Sequence, residues 1–332
     1  MTMHDPIKSP DKDEGPRSLI ERASQMYDFR KALSPEAPKL PEAPVAPPAA
    51  VAMPAPAPIV PPVAPAPVVA APVVPPVAAA PVAPRAPVLP VAEVDRDLLR
   101  ESAFIVPDGP VTSISEEFRI VKRRLLASVQ AEINAGLGVA AQRILICSAN
   151  PGDGKTYSAI NLALSIATEK DHDVVLVDAD FAKPSILSSL GIAGQSGLMD
   201  ALADPAVDVQ DLIIPTDIPG LSVLPAGRQT NTDSEYLASA RTQEVLASLT
   251  AGRPGRIVIF DSPPLLAASP AATIAQHVGH ALMVVRADVT SERALRDALS
   301  LIAGCNQIQL LLNGVKFSPS GRSFGSYYGY GE

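Results

Sequence analysis

Between an apolar stretch and a helical one lies the run Ser148-Ala-Asn-Pro-Gly-Asp-Gly-Lys155-Thr156. Glycines at such a turn let backbone N–H groups close around phosphate oxygens, and the helix that follows adds the positive end of its dipole. Lys155 can then reach the β- and γ-phosphates, and the Thr156 hydroxyl can ligate magnesium. Two further segments end in carboxylates: Val174-Val-Leu-Val-Asp178-Ala-Asp180 and Ile257-Val-Ile-Phe-Asp261. Carboxylates beside a phosphate loop can hold magnesium directly or through water, and one can take a proton from an attacking hydroxyl. A lone Asp after a strand is ordinarily a turn former; three beside a phosphate loop form a different pattern. The chain has 6 Tyr, and Tyr327, Tyr328 and Tyr330 crowd its last residues among glycines. Such residues cannot build a core, and their hydroxyls suit a phosphoryl acceptor. Tyrosine ionises near pH ~10, so a carboxylate base has to assist the transfer.

The elements that position these groups follow from hydrophobic patterning. Strands are expected at Arg143–Cys147, Val174–Asp178, Leu221–Leu224, Arg256–Asp261, Ala281–Arg286 and Gln309–Leu312. Helices are expected at Lys155–Glu169, Glu235–Leu249 and Ser291–Ile302. Short apolar strands alternating with helices predict an α/β fold with a mostly parallel, doubly wound sheet. Ligands of such sheets bind at the carboxyl ends of the strands, where Asp178, Asp180 and Asp261 fall. A preceding helix, Ser115 to Asn134, is expected to open with a capping-box pair, Ser113 and Glu116. Its apolar stripe is Phe118, Val121, Leu125, Val129 and Ile133, with Glu116, Arg119, Lys122 and Arg123 off that stripe.

Upstream, most of the 36 Pro fall between Pro35 and Pro90. Proline removes backbone donors, so this tract reads as a disordered, extended Pro/Ala-rich linker. The expected organisation is an N-terminal segment at 1–34, a linker at 35–92, the catalytic domain at 93–316 and a flexible tyrosine-bearing tail at 317–332. Within the first segment, Ser18 to Leu33 is patterned as a short amphipathic helix with Ser18 and Glu21 at capping-box spacing. Linker Ala and Val inflate the 47% hydrophobic content, and no stretch has the length and continuity of a membrane span. A net charge of −8 argues against nucleic-acid binding. Cys147 and Cys305, two cysteines far apart, suggest neither a disulfide framework nor a metal site.

In these patterns the chain resembles the bacterial tyrosine kinases, the autokinases of capsule and exopolysaccharide export. The Pro-Gly-x-Gly-Lys-Thr loop, the Asp178-x-Asp180 and Asp261 strand ends and the terminal tyrosines all match. The wording DADFAKPS, IVIFDSPPLLA and LSVLPAGR is most similar to the subgroup associated with exosortase systems. The resemblance implies a doubly wound sheet of the deviant P-loop NTPase fold, with ATP and Mg2+ as cofactors. It implies a nucleotide-binding set of Pro151, Gly152, Asp153, Gly154, Lys155, Thr156 and Tyr157, with Asn313 against the adenine. Lys155, Asp178 and Asp180 would be catalytic. Thr156 and Asp178 would serve the metal, with Asp261 as an outer magnesium group, and Tyr327, Tyr328 and Tyr330 would be the acceptors. Glu116, Arg119 and Lys122 match the Glu-x-x-Arg-x-x-Arg helix that joins subunits into a ring, with Lys in the third place. A second departure is Ala182, where many members carry Arg, beside Lys183.

The implied activity is tyrosine autophosphorylation that regulates exopolysaccharide synthesis and export. The implied setting is cytoplasmic, peripheral at the inner face of the plasma membrane, beside a membrane-embedded polysaccharide co-polymerase. Two alternatives share the nucleotide site. A positioning ATPase of the same superfamily would carry a signature Lys where Asn150 stands. A nucleotide-gated scaffold would assemble on ATP without phosphorylating its tail.

Overall fold

A computed structural model describes residues 90–136 and 138–315. The helix expected at Ser18–Leu33, the linker up to residue 89 and the tail with Tyr327, Tyr328 and Tyr330 lie outside the described residues. The order of elements is α1 (Arg96–Glu101), α2 (Ser113–Asn134), β1 (Arg143–Ser148), α3 (Lys155–Ala167), β2 (Asp173–Asp178), α4 (Ile186–Leu190) and α5 (Leu198–Ala203). Then come β3 (Ile214–Pro215), β4 (Leu221–Leu224), α6 (Asp233–Leu237), α7 (Ala240–Ser248), β5 (Arg256–Asp261), α8 (Pro270–Ile274), β6 (His280–Arg286), α9 (Glu292–Leu301) and β7 (Gln307–Asn313).

The strands form one seven-stranded sheet in the order β3-β4-β2-β5-β1-β6-β7. All neighbours run parallel except the short β3, which pairs antiparallel with β4. β1 and β5 are buried along their whole length, as expected of strands covered on both faces. Their side chains alternate between two cores. Leu145 and Cys147 face the layer that includes α5 and α7, whereas Ile144 and Ile146 face α2 and α3. The β3 edge carries one more pairing, with Ala92 N donating to Pro215 O and Ala92 O accepting from Asp217 N.

Two local expectations are corrected. The cap of α2 is one residue earlier: Thr112 Oγ1 accepts from Ser115 N at 3.3 Å, and Ser115 Oγ accepts from Thr112 N at 2.9 Å. Ser113 and Glu116 are therefore not the capping pair, and Glu116 instead forms an ion pair with Arg119. The helix expected over Glu235–Leu249 is broken into α6 and α7. Both Ser239 and Thr242 hydroxyls donate to the Tyr236 carbonyl, at 2.6 and 2.9 Å. Those bonds give the backbone an alternative to continuing the helix, and Ser239 turns extended.

Candidate active site

The phosphate loop joins β1 to α3, and its shape is set from within. Asp153, almost fully buried, accepts Asn150 N at 2.9 Å on one oxygen and the Thr290 hydroxyl at 2.9 Å on the other. Two strand ends clamp its outer side: Arg286 donates to Gly152 O at 3.2 Å and Asn313 Nδ2 to Asp153 O at 2.9 Å. Gly154 sits at φ +96, and a Cβ there would lie 2.0 Å from Asn313 Nδ2. The glycine is required twice, by backbone conformation and by this close approach.

Parallel register brings the acidic groups level, since Asp178 pairs with Asp261 across β2 and β5. Asp261 is fully buried, and its Oδ2 accepts the Thr156 hydroxyl at 2.6 Å. Its Oδ1 has no hydrogen-bond partner among the described residues. Burial pushes the Asp261 carboxyl up to about 7, against the opposing pull of the Lys155 charge and the Thr156 hydroxyl; the nearby Asp178 and Asp180 charges push it further up. Asp178 is also buried. Its Oδ1 accepts Asp180 N at 3.2 Å, and its Oδ2 accepts Ser185 N and Ile186 N at 2.8 and 3.0 Å. Burial raises this carboxyl as well, opposed by those three backbone donors. Asp180 lies nearer the opening, with Oδ2 3.2 Å from Lys155 Nζ and Oδ1 accepting Lys183 N at 3.1 Å.

Three carboxyl groups gather around one ammonium, and a divalent cation would favour their ionised forms. Among the described residues, no cluster of His, Cys, Asp or Glu could enclose a metal by itself. Magnesium beside a nucleotide is held by one or two protein oxygens together with phosphates and water. The partnerless Asp261 Oδ1 and the adjoining Thr156 hydroxyl are where the protein's share of that coordination fits.

Not every residue expected at the site faces it. The Tyr157 ring turns away, stacking on Phe104 at 5.4 Å and meeting Phe118 edge-on at 6.5 Å, while its hydroxyl donates to Ala103 O at 2.8 Å. Only its backbone remains beside the loop. Four residues on, Asn161 Oδ1 accepts Ile105 N at 2.8 Å, so α3 grips the segment leading into α2 at two points. The Asp153 carboxylate is likewise taken up, by Asn150 N within the loop and by Thr290 beyond β6. Glu116 and Arg119 lie together on α2, but Lys122 does not join them on an open face. It is 3% exposed, and its ammonium donates to Ser165 O at 2.8 Å and Thr168 Oγ1 at 3.1 Å while pairing with Glu169 at 2.6 Å. It thus closes the carboxyl end of α3, where a cation complements the helix dipole. As a ring contact, Lys122 is corrected by this burial. Its spacing holds the signal, four residues after Phe118 and three before Leu125, on the buried face of α2. Arg286 and Thr290, which brace the phosphate loop, have no comparable signal in the sequence.

This geometry can be set beside known proteins. No family model matches the chain. The tyrosine-protein kinase wzc of Salmonella typhimurium is 28% identical over 235 residues, 70% of this chain and 31% of that protein. The tyrosine-protein kinase YwqD of Bacillus subtilis is 27% identical over 224 residues, 67% of this chain and 87% of its own length. Among solved structures, the kinase domain of the Escherichia coli tyrosine kinase ETK superposes with a TM-score of 0.50 at 26% identity, covering 59% of this chain and 77% of that one. The chain is a homologue of the bacterial tyrosine kinases. It spans about a third of the length of the wzc kinases it matches, and most of YwqD. No described helix is long and apolar enough to cross a membrane.

Proposed function

We propose that this homologue of the tyrosine kinases is an ATP- and magnesium-dependent autokinase that phosphorylates Tyr327, Tyr328 and Tyr330. The observation that carries the reading is the juxtaposition of Lys155 and Thr156 with Asp178, Asp180 and Asp261 at one sheet edge. Magnesium, when bound, would neutralise charge on the β- and γ-phosphates. Lys155 then leaves Asp180 for the phosphate oxygens, which frees Asp180 Oδ2 to accept the tyrosine proton. The tyrosine oxygen bonds to the γ-phosphorus as the bond to the bridging oxygen of ADP breaks. Asp178, whose oxygens accept three backbone N–H groups, holds the loop that carries Asp180 in place. Of the two carboxylates the resemblance offers as base, Asp178 or Asp180, the contact of Asp180 with Lys155 favours Asp180. Positioning and charge neutralisation dominate such transfers, and little covalent work falls to the protein.

The wider reading follows the resemblance: regulation of exopolysaccharide synthesis and export, beside a membrane-embedded polysaccharide co-polymerase at the inner face of the plasma membrane. In it, chains assemble into a ring through Glu116 and Arg119, with the tail of one entering its neighbour's site. Asn313 contacts adenine in the same reading, released from Asp153 O as nucleotide enters.

The test is phosphotyrosine mass spectrometry after phosphatase treatment and incubation with ATP and magnesium. Phosphate on Tyr327, Tyr328 or Tyr330 in the wild type and not in Lys155→Met supports the autokinase. Nucleotide binding without any phosphotyrosine, even with the membrane partner present, transfers the reading to the nucleotide-gated scaffold.

A further inference from the structure

The loop after β4 reaches the same sheet edge as the catalytic carboxylates. Val177 pairs with Leu224 in parallel register, so Pro225–Arg228 leaves the sheet level with Asp178 and Asp180. The two loops touch, with Gln229 Nε2 donating to Ala182 O at 3.4 Å. Next to that contact stands Arg228. Its Nε donates to Asp200 Oδ1 at 2.6 Å, and its backbone N approaches Asp200 Oδ2 at 3.3 Å. Asp200 is itself fixed, buried, and accepts Gly197 N at 2.8 Å. The guanidinium is thus rooted in a rigid carboxylate while its side chain stays 83% exposed. The two terminal nitrogens make no hydrogen bond among the described residues. Lys183, exposed and held through its backbone on Asp180, supplies a second cation on the adjoining loop.

A rooted arginine with its fork turned outward is suited to an oxyanion. The unmodified tail has little to offer it. Residues 316–332 contain Lys316 and Arg322 against one acidic side chain, Glu332. Phosphorylation changes that, because each phosphotyrosine adds about −1.5 to −2 charges. Tyr327, Tyr328 and Tyr330 are near neighbours in sequence, so a tail phosphorylated on one still carries acceptor hydroxyls one to three residues away.

We propose that Arg228, with Lys183, forms a phosphotyrosine-binding subsite on the acceptor side of the active site. This rests on the autokinase reading. A phosphate already on the tail docks on the guanidinium and holds a neighbouring tyrosine toward Asp180. Multiply phosphorylated tails then accumulate ahead of a random distribution. The subsite also supplies positive charge on the loop pair that includes Ala182.

The test needs no turnover, so it stays readable even if the kinase reading fails. Synthetic peptides of residues 316–332, unphosphorylated or phosphorylated on Tyr328, are titrated into the phosphatase-treated full chain at about 0.15 M salt, with fluorescence anisotropy as readout. Hydrogen bonds to charged groups predict binding of the phosphopeptide at least about tenfold tighter. Arg228→Gln removes the difference, Arg228→Lys restores part of it, and Lys183→Gln reduces it. Equal affinity for the two peptides would overturn the proposal. So would a preference that survives Arg228→Gln in protein with an unchanged melting temperature. Displacement of the phosphopeptide by equimolar inorganic phosphate would also overturn it, reducing the site to a general anion contact.

Discussion

Lys155 Nζ lies 3.2 Å from Asp180 Oδ2, so the ammonium proposed to bind phosphate and the carboxylate proposed as base hold each other. On the proposed mechanism one event, arrival of the nucleotide, releases both. Lys155→Met should therefore lower phosphotransfer by about a hundredfold or more, the scale of losing one charge-stabilising donor. Asp180→Asn should impair transfer while leaving nucleotide binding largely intact. Filter binding of ATP alongside phosphotyrosine formation separates the two effects.

Asp261 gives the nucleotide-free protein a defined pH response. Its folded-state pKa, about 7, is raised above the ordinary value of 3.8. The protonated carboxyl is the form the folded state favours, so its contribution is complete below the unfolded value and is lost as pH rises through about 7. Thermal melts of wild type and Asp261→Asn from pH 4 to about 8 should differ in slope, with the wild type losing stability relative to the variant as pH rises. Magnesium requires the ionised carboxylate, so nucleotide affinity in the presence of magnesium should fall as pH drops below about 7.

Lys122 should behave as a folding residue. Lys122→Met keeps the apolar stem but removes the hydrogen bonds to Ser165, Thr168 and Glu169, at a cost of about 2 kcal/mol. Calorimetry should show a lowered melting temperature, with sedimentation velocity showing an unchanged state of assembly. Dissociation without loss of stability would return Lys122 to an interface role.

Gly154→Ala should abolish nucleotide binding through two separable costs. The left-handed backbone costs about 1–2 kcal/mol for alanine, and the added methyl collides with Asn313. Adding Asn313→Ala should relieve the collision and recover part of the stability without restoring affinity. Isothermal titration with ADP and magnesium measures the outcome.

The parts of this molecule written in local pattern are legible in the sequence itself. The strand ending at Asp178, the strand ending at Asp261 and the glycine turn before Lys155 each follow from a few consecutive residues. What stays hidden depends on distant partners. Whether the Asp153 carboxylate faces ligand or loop is decided by Thr290, 137 residues away. Whether Arg228 waves in solvent or stands rooted is decided by Asp200, 28 residues away. A charge such as Lys122 ordinarily marks a solvated face. Here Ser165, Thr168 and Glu169 at the carboxyl end of α3 supply carbonyl, hydroxyl and carboxylate partners that override that rule. The break between α6 and α7 is invisible in the hydrophobic period, because hydroxyl competition for one carbonyl leaves no trace there.

Ala92 stitches the incoming chain to the β3 edge of the sheet, and Val315 carries it away beyond β7 at the other edge. Six strand spacings separate those edges, about 29 Å. β7 runs parallel to β6, so the departing chain sets out from the rim that holds Lys155 and Asp180. The contour from Val315 to Tyr327 is at most about 40 Å. The described chain thus enters and leaves at opposite flanks of the sheet, which keeps the two junctions from competing for one edge.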